Sequence, residues 1–178
     1  AAVANRFVTS ANMKVGTYTI ANASPVWQGG CLVTLTHATV AAGTDTLGTV
    51  VVAGTDLSGQ TVSETFTPSA DATVTGTQIF RTIVSATGAG WIIAGGNDTL
   101  TIGCAAGSYA IAGSGYLGSI VVNTTAAATV VVSDARGTIA TLKTSIAEGN
   151  YPYNIAVSGW LKVATTSTND VTLTHSVS

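Results

Sequence analysis

The stretch that decides the fold is residues 48–66, Gly-Thr-Val-Val-Val-Ala-Gly-Thr-Asp-Leu-Ser-Gly-Gln-Thr-Val-Ser-Glu-Thr-Phe. It contains two runs rich in residues that favour the pleated sheet, Gly48–Val52 and Thr61–Phe66. Between them lies Thr55–Gly59, whose Asp, Ser and Gly are typical of a tight turn. The stretch therefore predicts a β-hairpin in which the two runs pair as antiparallel strands.

The rest of the chain repeats this pattern of short β-like runs separated by turn residues. Turn signals recur at a spacing of roughly 8–12 residues, which is typical of an all-β sandwich or barrel. In the first part we predict strands near 17–21, 31–38, 47–55, 60–67, 73–86 with one break, and 98–104. In the second part we predict strands near 117–123, 128–134, 138–143, 151–157, 160–165 and 170–176.

A segment of small, uncharged residues divides the chain. It comprises Ala105–Ser108 and Ala112–Gly115, and it is the expected domain boundary. We therefore expect an all-β protein of two small β-sandwich or barrel-like modules with an N-terminal arm: residues 1–16 for the arm, then 17–106 and 107–178 for the modules.

One pentapeptide occurs twice in the chain. Val33-Thr34-Leu35-Thr36-His37 recurs as Val171-Thr172-Leu173-Thr174-His175. The repeat has two explanations, which are that the two modules are related, or that chance produced it in a chain so rich in Thr and Val.

The chain carries few charges. Six residues are Lys or Arg and eight are Asp or Glu, so the net charge is −2 with both His neutral. Nucleic-acid binding is excluded, because it depends on several contacts from Lys and Arg to phosphates. Disorder is disfavoured, since it goes with low hydrophobicity and high charge. Mean hydropathy is +0.46, but no apolar run approaches the roughly 18 residues of a membrane-spanning helix.

The two cysteines, Cys31 and Cys104, share the apolar phase of their predicted strands. Cys31 is in phase with Val33 and Leu35, and Cys104 is in phase with Ile102. Two cysteines do not make a disulfide framework. Their placement favours buried thiols and leaves open a disulfide between neighbouring strands.

The groups that catalysis or metal binding would need are scarce. The chain has only two Glu, Glu64 and Glu148, and two His, His37 and His175, which we expect to be hydrogen-bonded at strand ends. It has no His-x-His, HExxH or CxxC spacing, no G-x-S-x-G turn of a serine hydrolase, and no phosphate-binding loop with its Lys. We therefore expect no enzyme activity, no catalytic residue, no cofactor and no metal.

Four residues are candidates for contacts with another protein. Trp160 alternates with Leu161, so it points outward if Leu161 points inward, and an exposed Trp is a frequent anchor of protein interfaces. Trp27 lies in a loop-like segment. Arg6 and Phe7 lie on the expected arm, where they are available to dock on a neighbouring chain.

Both halves of the chain resemble β modules of tailed-bacteriophage virion proteins. Val52–Phe66 is similar to a recurrent phage pattern: an apolar strand, Gly-Thr-Asp, a polar turn and a Val-Ser-Glu-Thr strand. Thr77–Ser85 is similar to the strand that usually follows. In the second half, the segments that resemble the small sandwich module of phage head-decoration, fibre and tail proteins are Gly118–Thr124, Val131–Asp134, Gly159–Val163 and Asn169–Leu173. The resemblance covers most of residues 45–178.

The resemblance implies a non-enzymatic structural protein of the virion, assembled in the host cytoplasm. Within that class we expect a capsid decoration (cement) protein that binds and stabilises the shell. Its partners would be the major capsid protein or other virion proteins, and copies would associate as a trimer or dimer, with neither nucleic acid nor membrane as a ligand. The alternatives are a phage tail, collar or fibre component, a bacterial surface adhesin, and a carbohydrate-binding β module that stacks sugars on Trp27 or Trp160.

Overall fold

The computed structural model describes residues 2–25, 29–41, 45–124, 128–165 and 170–177. Within these ranges the chain forms fourteen strands and one 3-10 turn, Met13–Val15, with no α-helix. The first seven strands are β1 (Val3–Asn12), β2 (Cys31–Ala38), β3 (Thr46–Thr55), β4 (Thr61–Phe66), β5 (Thr73–Phe80), β6 (Thr82–Ile92) and β7 (Thr99–Cys104). The other seven are β8 (Ser108–Ala112), β9 (Gly115–Thr124), β10 (Val130–Asp134), β11 (Gly137–Leu142), β12 (Gly149–Val157), β13 (Trp160–Thr165) and β14 (Asp170–Val177). The predicted all-β class is confirmed.

The strands form two compact units, residues 2–105 and residues 106–178. Each unit has seven strands, arranged as one four-stranded and one three-stranded antiparallel sheet. The sheets of the first unit have the orders β1-β7-β2-β5 and β4-β3-β6. Those of the second unit have the orders β11-β10-β13-β8 and β12-β9-β14. The division falls within the small-residue segment Ala105–Ser108.

Side chains from both sheets of the first unit meet in one core. Because alternate residues of a strand point to opposite faces, Val50 and Val52 are fully buried while Val51 between them is 38% exposed. The largest fully buried apolar side chains of this core are Phe7, Met13, Leu35, Phe80, Ile83, Leu100 and Ile102. The unit is therefore a β-sandwich whose two sheets share one apolar interior.

The second unit has a separate core that is built in the same way. Ile111, Val132 and Leu161 come from its four-stranded sheet, and Leu117 and Ile120 come from β9 in the three-stranded sheet. All five side chains are fully buried. This unit is therefore a second, smaller sandwich.

The two units share the same order for six of their seven strands. When strands are counted from the start of each unit, both contain a sheet built on the order fifth-second-seventh and a sheet built on fourth-third-sixth. The first strand joins the seventh in the first unit and the sixth in the second. A jelly roll has eight strands in two sheets, with the orders first-eighth-third-sixth and second-seventh-fourth-fifth. If the second strand of the jelly roll is left out, the remaining seven strands have the order found in residues 2–105. If its first strand is left out instead, they have the order found in residues 106–178.

The segment 16–23 occupies the position of the strand that is missing from the first unit. It runs beside β6 through an antiparallel bridge between Thr17 and Thr87. The N–H of Tyr18 donates to the Ala86 oxygen at 2.9 Å. The N–H of Ala21 instead donates to the oxygen of Phe7 in the opposite sheet at 2.7 Å, so the segment crosses between the sheets. The strand predicted at 17–21 is therefore present only as this broken pairing.

The hairpin predicted from residues 48–66 is confirmed. Strands β3 and β4 pair from Val50 with Phe66 to Thr55 with Thr61. In the turn, Oδ1 of Asp56 accepts the N–H groups of Ser58 and Gln60 at 2.8 and 2.9 Å. Gly59 has a φ of +80°, which favours glycine. The break expected within 73–86 is also confirmed, since Arg81 separates β5 from β6.

The N-terminal arm predicted for residues 1–16 is wrong. Residues 3–12 form strand β1, which pairs antiparallel with β7 along the edge of a sheet. The alternation is hard to see in the sequence because Phe7 and Val8, although adjacent, are both buried where the register with β7 shifts. Strand β8 was also missed, because it lies among the small residues of the expected boundary.

Glu64 connects the two sheets of the first unit. Its Oε1 accepts the N–H of Thr77 at 2.6 Å and the Thr77 hydroxyl at 3.0 Å, and its Oε2 accepts the N–H of Gln78 at 3.3 Å. Glu64 is on β4 and its partners are on β5, which belongs to the other sheet. A Cβ at position 76 would collide with this carboxylate and with the Phe66 ring, so Gly76 makes room for the connection.

We expect Glu64→Ala to lower the free energy of unfolding by about 1–2 kcal/mol, because three donors lose a charged acceptor. The measurement is urea unfolding followed by tryptophan fluorescence. The control is Thr65→Ala, which truncates the exposed neighbour on the same strand. Equal effects of the two substitutions would contradict the role of Glu64.

Candidate binding surfaces

The outer face of the sheet β4-β3-β6 carries no charged side chain. We call it the threonine face. Each outward residue of β3 lies opposite one residue of β4 and one residue of β6, and the three form a row across the sheet. In one such row, Val51 lies between Thr65 and Thr87. The residues of the threonine face are Thr49, Val51, Ala53, Thr55, Thr61, Ser63, Thr65, Thr82, Ser85, Thr87 and Ala89.

Hydroxyl groups and small apolar groups alternate on the threonine face. The Thr55 and Thr82 hydroxyl oxygens are 2.6 Å apart, so one row is closed by a hydrogen bond between side chains. Val51 is 38% exposed at the centre of the face. The face can therefore leave water without removing a charge from it, a step that is strongly unfavourable for unpaired Lys or Glu.

The contact residues predicted near the N-terminus do not form a free docking site. Phe7 is fully buried in the core of the first unit, so its predicted contact role is wrong. The Arg6 guanidinium is partly buried, and its Nε donates to the Ser24 oxygen at 2.7 Å. Its Nη2 donates to the Pro25 oxygen at 3.4 Å. Arg6 therefore binds the backbone at Ser24 and Pro25, and Trp27 lies outside the described residues.

Trp160 belongs to a small aromatic cluster on the second unit, which we define as Tyr109, Trp160 and Lys162. The Tyr109 and Trp160 rings meet edge to face with centroids 5.7 Å apart. The Lys162 ammonium lies 5.4 Å from the Tyr109 centroid, within range of a cation–π interaction. Leu161 is fully buried, so Trp160 is on the outer side of β13 and is half-buried there against its neighbours.

A buried histidine–aspartate pair lies at the end of β2. Nε2 of His37 is 3.2 Å from Oδ2 of Asp98, and both side chains are buried. Nδ1 of His37 accepts the N–H of Asp71 at 3.3 Å, so Nε2 carries the proton and donates to Asp98. Oδ1 of Asp98 accepts the N–H of Val40 at 2.9 Å. The hydrogen-bonded role predicted for His37 is confirmed, and the pair joins three loops rather than facing a cleft.

Cys31 and Cys104 meet on the inner side of neighbouring strands β2 and β7. Both are free and fully buried, and their Sγ atoms are 2.7 Å apart. The hydrogen bond to Cys104 and burial raise the pKa of the Cys31 thiol, which therefore stays protonated. The two cysteines are therefore buried thiols, as the sequence favours. They lie on neighbouring strands, which is also where the alternative disulfide was expected.

Asp134 holds two turns of the second unit together. Oδ2 accepts Nε and Nη2 of Arg136 at 2.9 and 2.7 Å, and it also accepts the N–H of Ser158 at 3.0 Å. The Arg136 guanidinium, helped by backbone N–H groups, lowers the pKa of the Asp134 carboxyl to about 2. The carboxylate thus acts as a structural acceptor between the β10–β11 turn and the β12–β13 turn.

Potential metal ligands are dispersed over the described part of the chain. Among those residues no group of three or more His, Cys, Asp or Glu side chains is placed to hold a metal ion. The described residues also contain no helix long and apolar enough to span a membrane. The threonine face and the aromatic cluster are the candidate binding surfaces among the described residues.

The threonine face was not predicted from the sequence as a site. The signal was present, since Thr61, Ser63 and Thr65 alternate with Val62 and Phe66 in the predicted hairpin. What the sequence did not show is that β6 lies on the other side of β3 and continues the same rows.

We expect neither thiol to react with a maleimide in the native protein, because both are buried. Both should react once the protein is unfolded in guanidinium without reductant. Intact mass counts the labels, with the doubly substituted C31S/C104S protein as the unlabelled control. No label before reductant is added, and two afterwards, would show a disulfide instead.

We expect Asp134→Asn to lower stability at neutral pH and to flatten its acid dependence. The folded pKa of about 2 lies below the unfolded value of about 3.9. The stabilisation is therefore present above pH 4 and is lost as the pH falls towards 2. Thermal unfolding from pH 7 to pH 2 checks this, and a constant difference between wild type and variant over the whole range would contradict it.

Comparison with known proteins gives no relative for this chain. No protein-family model matches it, no curated protein matches it, and no solved structure matches it.

Proposed function

We propose that this chain is a non-enzymatic structural protein of a tailed-phage virion, and that it decorates the capsid. In this role it binds the major capsid protein or another shell protein and stabilises the particle. The observation that carries the proposal is the threonine face, a regular outer sheet surface without any charged side chain. A tail, collar or fibre protein would use the same surface on another part of the virion.

The cost of desolvation favours the threonine face as a contact surface. Depletion of charge is a compositional mark of protein interfaces at their centre. On the threonine face the side chains that lose water are Thr, Ser, Ala and Val, and part of the hydroxyl groups already pair with one another, as Thr55 does with Thr82. Contact between such a face and a shell therefore avoids the several kcal/mol that an unpaired buried charge costs.

The strand order supports the proposal at the level of architecture. Jelly rolls occur in viral capsid domains, and also in lectins and cupins. Since one fold hosts many functions, the order supports a structural role only together with the surface. The resemblance of Val52–Phe66 and of the second half to phage β modules adds to it.

The direct test is mass spectrometry of purified virions of the phage that encodes the chain. We expect the protein in intact particles at a copy number fixed relative to the major capsid protein. Absence from the particles would overturn the proposal, and presence only in isolated tails would move it from the capsid to the tail.

A second test uses shells prepared without the protein, to which purified protein is added. We expect Val51→Lys to weaken binding to the shell by at least about tenfold, which corresponds to about 1.4 kcal/mol. The matched control is Thr141→Lys, which places the same charge on the exposed strand β11 of the second unit. Circular dichroism confirms that both variants are folded, and equal binding by both would exclude the threonine face as the contact.

A further inference from the structure

The second unit lacks a strand that the first unit has. In the first unit, the seventh strand β7 lies between β1 and β2. The corresponding strand of the second unit, β14, pairs with β9 on one side. Within the residues that the structure describes, no strand pairs with its other side, so β14 is the edge of its sheet.

A comparison of burial in β7 and β14 shows the effect of the strand that is missing beside β14. The inward residues of β7, Leu100 and Ile102, are 1% and 0% exposed. The inward residues of β14, Val171 and Leu173, are only partly buried against their core. Further along β14, Val177 is 71% exposed. The apolar side of β14 is thus covered from one side, whereas that of β7 is covered from both.

Strand β14 also lacks the usual protection of an edge. Proteins block edge pairing with Lys, Pro or an inserted residue, and β14 contains neither Lys nor Pro. The register shifts between β14 and β9 insert the extra residues, Asn123 and Gly118, into β9. Strand β14 itself is therefore a continuous extended strand of eight residues.

We infer that β14 pairs antiparallel with β14 of a second copy of this chain. A two-fold axis near the middle of the strand joins the two three-stranded sheets into one of six strands. Such a contact is isologous, the commonest arrangement in homo-oligomers. The inference stands on strand order and burial and does not depend on the proposed function.

The composition of β14 fits a second copy in this orientation. Its one carboxylate, Asp170, is at the start, and His175 is near the end. Antiparallel pairing places the Asp170 end of one copy beside the His175 end of the other, whereas parallel pairing would bring the two Asp170 carboxylates together. The exposed residues between them, Thr172 and Thr174, are uncharged and favour cross-strand pairing.

The test measures the oligomeric state of the isolated protein by light scattering and sedimentation over a range of concentrations. We expect a dimer for the wild type and a dissociation constant at least about tenfold higher for Thr172→Lys, because a Lys on an edge strand opposes pairing. The control Thr141→Lys, on the edge strand β11, should dimerise like the wild type.

Hydrogen exchange gives an independent readout that does not depend on a variant. In the dimer, the β14 amides that point away from β9 should be protected, and dilution to the monomer should remove that protection. A wild type that is monomeric at all concentrations overturns the inference. A dimer that leaves these amides unprotected, or that Thr172→Lys does not weaken, overturns it as well. None of these results bears on binding to a shell, which is measured separately.

Discussion

In a two-sheet sandwich the side chains of each strand point alternately into the core and outward, and the residues that fill the outward half determine the character of the outer surfaces. In this chain the outward half is mainly Thr, Ser and Ala rather than Lys and Glu. The Thr hydroxyls can pair across strands, as they do between Thr36 and Thr73 at 2.7 Å. Such pairs stabilise a sheet by roughly 0.2–1 kcal/mol each. Pairs of this kind need no charge, and the threonine face can therefore approach another surface without desolvating ions.

Three of the carboxylates act as acceptors for backbone N–H groups. A sandwich leaves backbone N–H groups unpaired where strands end or sheets meet, and buried donors require acceptors. Asp98 accepts the N–H of Val40, Asp134 accepts that of Ser158, and Glu64 accepts that of Thr77. Each carboxylate therefore has a structural partner, and none of the three faces a cleft together with another.

The hairpin at residues 48–66 could be predicted because its signals are local, namely two β-rich runs and a turn with a Gly that adopts positive φ. Strand β1 could not, because its two adjacent buried residues, Phe7 and Val8, reflect a register shift against β7, almost a hundred positions away. The threonine face was missed for the same reason. Its rows require β3 to lie between β4 and β6, and only tertiary structure brings β6 there.

The repeated pentapeptide shows that the residues determine which side chains alternate along a strand, whereas the neighbouring strands determine how deeply those side chains are buried. In β2, Val33, Leu35 and His37 are all buried, because β7 and β5 flank the strand on both sides. The same five residues in β14 keep the same alternation, yet their Val and Leu are only partly buried and their His is exposed. The two copies are the second strand of one unit and the seventh of the other, so they do not mark equivalent positions of related modules. Alternation is thus a property of the residues, whereas the depth of burial depends on whether both neighbouring strands are present, and in β14 one of them is missing.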